Sequence, residues 1–220
     1  AHSFVRGNWR NEALSAPMLL AKCCHDLDIL RHWIGRPCRS VSSFGSLQHF
    51  RPACRPAGAA DRCLDCPQPV ESECPYSAVK IYLRDLRGSS TWPNNVLTLD
   101  TSPAGIAAAL RDGPYGRCVY ACDNDVVDNQ VVGLQYADGT TASFTMSAFN
   151  PGGGRKTRIG GTLGYIETND SSLIRHFDFV TGEWHEIDTA ASDASILGGH
   201  GGGDGGIMDA FIHAVATGDR

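Results

Sequence analysis

The stretch DVVDNQVVGLQYADGTTASFTMSAF, residues 125–149, decides how this chain folds. Two β-rich runs flank Ala137-Asp138-Gly139. Asp-Gly between such runs signals a hairpin, because the tight turn needs a positive φ that glycine adopts freely. A hairpin makes its two strands antiparallel. Further short runs follow: RKTRIGG (155–161), GYIETN (164–169), SLIRHFDFV (172–180) and EWHEIDT (183–189). Thr162-Leu163-Gly164 and Thr181-Gly182 supply turns between them. Sequential strands on short loops predict an open, mostly antiparallel sheet.

Upstream, residues 1–10 alternate as a strand would, and RSVSSFGSLQH (39–49) reads as another with period two. Between them, Ser15 and Pro17 read as an N-cap and an early helical position. The helix runs through PMLLAKCCHDLDILRHWIG and stops at Gly35. Leu20, Cys23, Leu27, Leu30 and Ile34 recur at helical spacing and form its expected buried stripe. PYSAVKIYLRDL (75–86) and SPAGIAAALRDG (102–113) are two further helices. Helices before and after a run of strands give the α+β class, with helices packed on one face of the sheet.

The chain has 220 residues, 42% hydrophobic and 20% charged, which suits one globular domain over 1–220. Its net charge of -5 points to no nucleic acid and no anionic membrane as partner. No apolar run approaches the ~18 residues of a membrane helix. No signal peptide is read at the start, and both ends read as cuts through a longer protein. Nine cysteines are an odd number in a long chain, so reduced thiols and a cytoplasmic setting are expected. Residues 50–76 hold five prolines and four cysteines with almost no apolar periodicity. They read as an insert that needs something other than a core to hold it.

Four patterns carry chemistry. On the first long helix, Lys22 and His25 are three apart and share a face away from the apolar stripe. A neighbouring lysine and histidine can hold a hydroxyl group, and the histidine can exchange its proton near neutral pH. The same spacing is also that of an ordinary polar helix face with ion pairs. In the insert, Cys63 and Cys66 form a C-x2-C turn, separated by eight residues from Cys54 before it and by seven from Cys74 after it. Such a turn points two thiolates at one tetrahedral ion, so structural zinc on Cys54, Cys63, Cys66 and Cys74 is the expectation, with His49 as a substitute for Cys54. Free thiols, a disulfide or an iron–sulfur cluster are the alternatives. Arg155, Lys156 and Arg158 alternate on a strand and could place two cations on one face. Last, GGHGGGDGG (198–206) contains a G-x-G-x-x-G at Gly201, Gly203 and Gly206. A dinucleotide loop needs a buried strand before it, and IDTAASDAS (187–195) makes a poor one. The run reads instead as a flexible loop, or one that approaches a ligand closely, with His200 and Asp204 at a helix start.

Taken in order, SFVRGNWRN (3–11), the helix at 15–35, DNQVVGLQYADGTTASFTMSAF (128–149), RKTRIGGTLGYIE (155–167) and GGHGGGDGGIMDAFIHAV (198–215) resemble the C-terminal domain of the Gfo/Idh/MocA oxidoreductases. These are relatives of glucose–fructose oxidoreductase and inositol dehydrogenase. The resemblance implies an upstream Rossmann domain that binds NAD or NADP, so no cofactor-binding residue is expected in this chain. It implies that this domain binds a sugar or cyclitol and builds a homodimer or homotetramer through the open sheet. It makes His25 the catalytic proton carrier, with Lys22 beside it. Many relatives carry an aspartate four residues before that histidine; here the position is Ala21. His200 and Asp204 become substrate-pocket residues, and Arg6, Asn8, Asn124, Asp128 and Arg158 weaker candidates. Two other readings stand beside this one: a non-catalytic, zinc-stabilised assembly module, and an NAD-dependent glycosidase or lyase of the same family.

Overall fold

The Asp138-Gly139 hairpin forms in the computed structural model, which describes residues 2–150, 154–169, 172–189 and 203–218. Strands β2 (Asn129–Tyr136) and β3 (Thr141–Ser147) pair antiparallel, and β1 (Cys38–Ser46) pairs antiparallel with the other side of β2. At the turn Gly139 has φ 91°, and the Thr140 backbone N–H donates to Asp138 Oδ1. The chain divides into two units, Ala1–Asn150 and Pro151–Arg220.

In the first unit, helix α1 (Met18–Ala21) and helix α2 (Cys24–Ile34) replace the single helix read from the sequence. Lys22 leaves helical geometry at φ -138°. That break shifts the phase of the apolar stripe. Cys23 is buried, whereas Leu20 on the far side of the break is 63% exposed. Gly35 caps α2 in the left-handed conformation, donating its N–H to the Arg31 carbonyl. α2 packs against β3. The end of α2 is tied to the hairpin turn by the Ala137 N–H to Pro37 carbonyl bond and by the exposed pair of Arg36 and Asp138.

The expected strand at 1–10 is absent. His2–Arg6 is a π-helical turn. An extended chain would send Val5 and Arg6 to opposite faces. Both are buried, and Arg6 is held inside by the Arg117 and Tyr76 carbonyls.

Residues 50–76 also depart from expectation, because they share a core with the segment that follows. They contain two 3-10 turns, Pro52–Cys54 and Cys63–Asp65, and helix α3 (Gln68–Glu73). Next come a π-helical segment Val79–Asp85, helix α4 (Asn94–Leu97) and helix α5 (Pro103–Asp112). α5 starts as its sequence dictates: Ser102 Oγ accepts the Gly105 N–H, and Pro103 takes the first turn. One buried cluster joins Cys63 to Ala78, Tyr82, Ile106, Leu110 and Tyr115. A second joins Phe50 to Val5, Cys118, Val119 and Tyr120.

In the second unit, β4 (Lys156–Gly160), β5 (Gly164–Asn169), β6 (Leu173–Asp178) and β7 (Trp184–Asp188) form a four-stranded antiparallel meander. Helix α6 (Gly203–Thr217) follows. Every strand expected from 125–189 is present. They fall into two antiparallel sheets rather than one, and the class is α+β. Among the described residues no strand pair is parallel, so no doubly wound sheet with its nucleotide crevice is built.

Candidate functional site

His25 lies in the first turn of α2, and Lys22 at the break just before it. Both side chains are exposed. The break takes Lys22 off the helix that carries His25, so the two no longer stand in helical i, i+3 register. Their platform is fixed, because buried Cys23 lies between them and α2 rests on β3.

The other sequence candidates disperse. Asn8 is exposed in the loop after the first turn. Asp128 is buried and accepts the backbone N–H groups of Gln48, His49 and Phe50 and the amide of Asn129. Burial alone would raise its carboxyl, but these donors hold it below the usual carboxylate range. Asn124 Nδ2 donates to the Phe50 carbonyl, while its buried Oδ1 has no protein partner. Asp128 and Asn124 therefore brace the start of the insert. In the second unit, Arg158 is exposed on β4, opposite Glu167 in the register. Asp204 is exposed in the first turn of α6, and His200 lies outside the described residues.

A second set of residues converges where the sequence offered only spacing. Cys63, Cys66, Cys74 and Cys118 line one pocket, together with Arg6 and Tyr120. Cys63, Cys74 and Cys118 lie close enough to interact electrostatically. Cys54, expected with them, does not line the pocket, and its thiol donates to the Gln48 carbonyl at 3.3 Å. His49, its substitute, is held by Tyr120 at 3.0 Å within an aromatic cluster that includes Phe50 and Phe149. Cys118 was not read as a member from the sequence. It arrives through long-range pairing: its N–H donates to the Asp61 carbonyl, and Arg117 bridges to Arg62 beside Cys63. None of the nine cysteines is in a disulfide, and burial pushes the thiols of Cys74 and Cys118 up. Among the described residues, no three His, Cys, Asp or Glu side chains are already gathered as ligands around one point.

Around the first turn, Arg10 and Arg117 both pair with Asp123, holding its carboxyl far below the usual range. His2 is pushed down to about 4, chiefly by burial, and its Nδ1 shares a hydrogen bond with the Tyr82 hydroxyl at 2.5 Å. These contacts pin residues 2–12 in place.

No helix among the described residues is long and apolar enough to cross a membrane. Comparison with curated proteins finds no match. The family model described as "Oxidoreductase family, C-terminal alpha/beta domain" matches residues 1–220. The antiparallel α+β architecture agrees with that description, and the chain belongs to this family, the C-terminal domain of the Gfo/Idh/MocA oxidoreductases.

Proposed function

We propose that this chain is the substrate-binding and oligomerisation domain of an NAD(P)-dependent oxidoreductase that acts on a CH–OH group of a sugar or cyclitol. The family match over the whole chain carries this reading. In this reading the nucleotide is held by the rest of the full-length protein and this chain alone is inactive. NAD(P) supplies the hydride acceptor or donor there.

What this chain brings is a hydroxyl-handling pair. His25 takes or returns the hydroxyl proton, and an imidazole is suited to do so at neutral pH. Lys22 donates to the substrate oxygen as that proton moves. Their exposure leaves both available to a ligand. Asn8 is a further substrate contact in this reading, and Arg158, His200 and Asp204 are candidates for substrate contact on residues 151–220 taken by themselves. Cytoplasmic residence is part of this reading, in keeping with an odd number of cysteines, nine, in a long chain.

The test is a His25→Ala substitution in the full-length protein, assayed against a panel of polyols with NAD and NADP. A loss of kcat of at least 100-fold is expected, the scale of general acid–base assistance, with nucleotide affinity unchanged. Undiminished turnover would overturn the role of His25. Net hydrolysis or elimination with no change in nucleotide redox state would assign the glycosidase or lyase chemistry instead.

A further inference from the structure

The cysteine pocket is not used by the proposed oxidoreductase chemistry. We propose that Cys63, Cys66, Cys74 and Cys118 hold one structural zinc ion, with Cys118 in the place that sequence spacing gave to Cys54. The inference stands apart from the proposed substrate and cofactor.

Four observations carry it. First, the four cysteines line one pocket whose other walls are mostly apolar, among them Ala59, Val70 and Val119, with Glu71 beside them. Four thiolates are a complete tetrahedral set for zinc. Second, Cys63–Asp65 is a tight 3-10 turn in which the Cys66 N–H reaches back to the Cys63 carbonyl. That is the C-x2-C geometry by which two thiolates reach one ion. Third, Arg6 is buried against the same pocket, with Nη2 3.3 Å from Cys63 Sγ. Its Nη1 is buried and has no hydrogen-bond partner. A buried guanidinium without an anionic partner is costly. Glu71 of the same pocket pairs with Arg84 and Ser77, and four thiolates around a dication carry a net charge of -2, which would compensate Arg6. Fourth, the ligands come from three places: the Cys63–Asp65 turn, the end of α3 and the strand-like segment after Pro114–Gly116. One ion would staple the insert to the segment that reaches β2. Among the described residues the four thiols do not already converge on one point, so ligation needs side-chain rotamers that aim them into the shared pocket.

The test uses full-length protein purified without added metal or chelator. Elemental analysis is expected to give about one zinc per chain. Titrating thiols with an organomercurial should release that zinc in step with four thiols. Cys118→Ser should lose the metal, and Cys54→Ser should keep it. If Cys118→Ser fails to fold, cobalt substitution of the wild type decides, since four thiolates give intense sulfur-to-cobalt charge transfer. Protein without zinc whose four thiols react freely overturns the proposal. So do stoichiometric iron with acid-labile sulfide, or metal loss on Cys54→Ser with retention on Cys118→Ser.

Discussion

Asp128 shows how one residue can look like a ligand contact in the sequence and serve the frame in the structure. Its carboxylate sits 3% exposed and gathers three consecutive backbone N–H groups, those of Gln48, His49 and Phe50. Removing it would leave those donors without their partner where the chain turns into the insert. Asp128→Ala is expected to cost about 3 kcal/mol, the scale for leaving buried donors unmet, measured by urea denaturation at pH 7. The pH dependence follows from the depressed carboxyl. Its stabilisation is fully present above the unfolded-state value of about 4 and is lost as pH falls through the lower folded value. Wild type should therefore weaken below about pH 4 more steeply than Asp128→Ala, whose curve lacks that contribution. Parallel slopes would show that Asp128 does not act through its charge. Arg6 follows the same logic. Its destination depends on Cys63, Tyr76 and Arg117, which local alternation cannot reveal. That is why residues 2–6 read as a strand and fold as a turn.

Elements whose causes are local were legible. Asp138-Gly139 sets the β2–β3 register, Ser102-Pro103 starts α5 and Gly35 stops α2. Elements set by distant partners were not. The break at Lys22 carries no proline or glycine to announce it. Cys118 enters the thiol pocket through partners far off in sequence, the Asp61 and Arg62 pairings among them. His25 was legible as a residue type on a helix, but its separation from Lys22 by the break was not. The junction of α5 with the Pro114–Gly116 turn tests how tightly the packing between neighbouring elements is set. A Cβ on Gly116 would run into the Leu110 carbonyl group and lie 2.9 Å from its Cα. Both are backbone atoms and cannot swing aside. Gly116→Ala is expected to destabilise by about 3 kcal/mol, at the upper end of overpacking costs. Gly139→Ala meets open space and pays only for its positive φ, about 1 kcal/mol. Equal thermal shifts for the two variants would contradict this packing.

At the scale of the whole molecule, β2 and β3 alternate between a more buried and a more exposed side, while β1 is exposed along nearly its whole length. Val132 and Tyr136 point to the buried side, at 1% and 2% exposure. Alternation sends Val131 to the other side, where it stands opposite Phe44 on β1. Phe44 is 76% exposed and Val131 47%. A cross-strand aromatic–valine pair normally contributes to sheet stability by burial. Here it faces water, so covering it with the same pair of a second copy would recover apolar contact on both sides. Self-association through a two-fold axis would make such a patch meet itself. This gives the proposed oligomerisation a definite surface. The full-length protein is expected to have the mass of a dimer or tetramer by light scattering. Phe44→Glu should lower that mass at least two-fold with the circular dichroism spectrum unchanged, because the charge is set on an exposed face and against its own mirror image. A monomeric wild type, or a variant that assembles as wild type does, would remove this face from the interface.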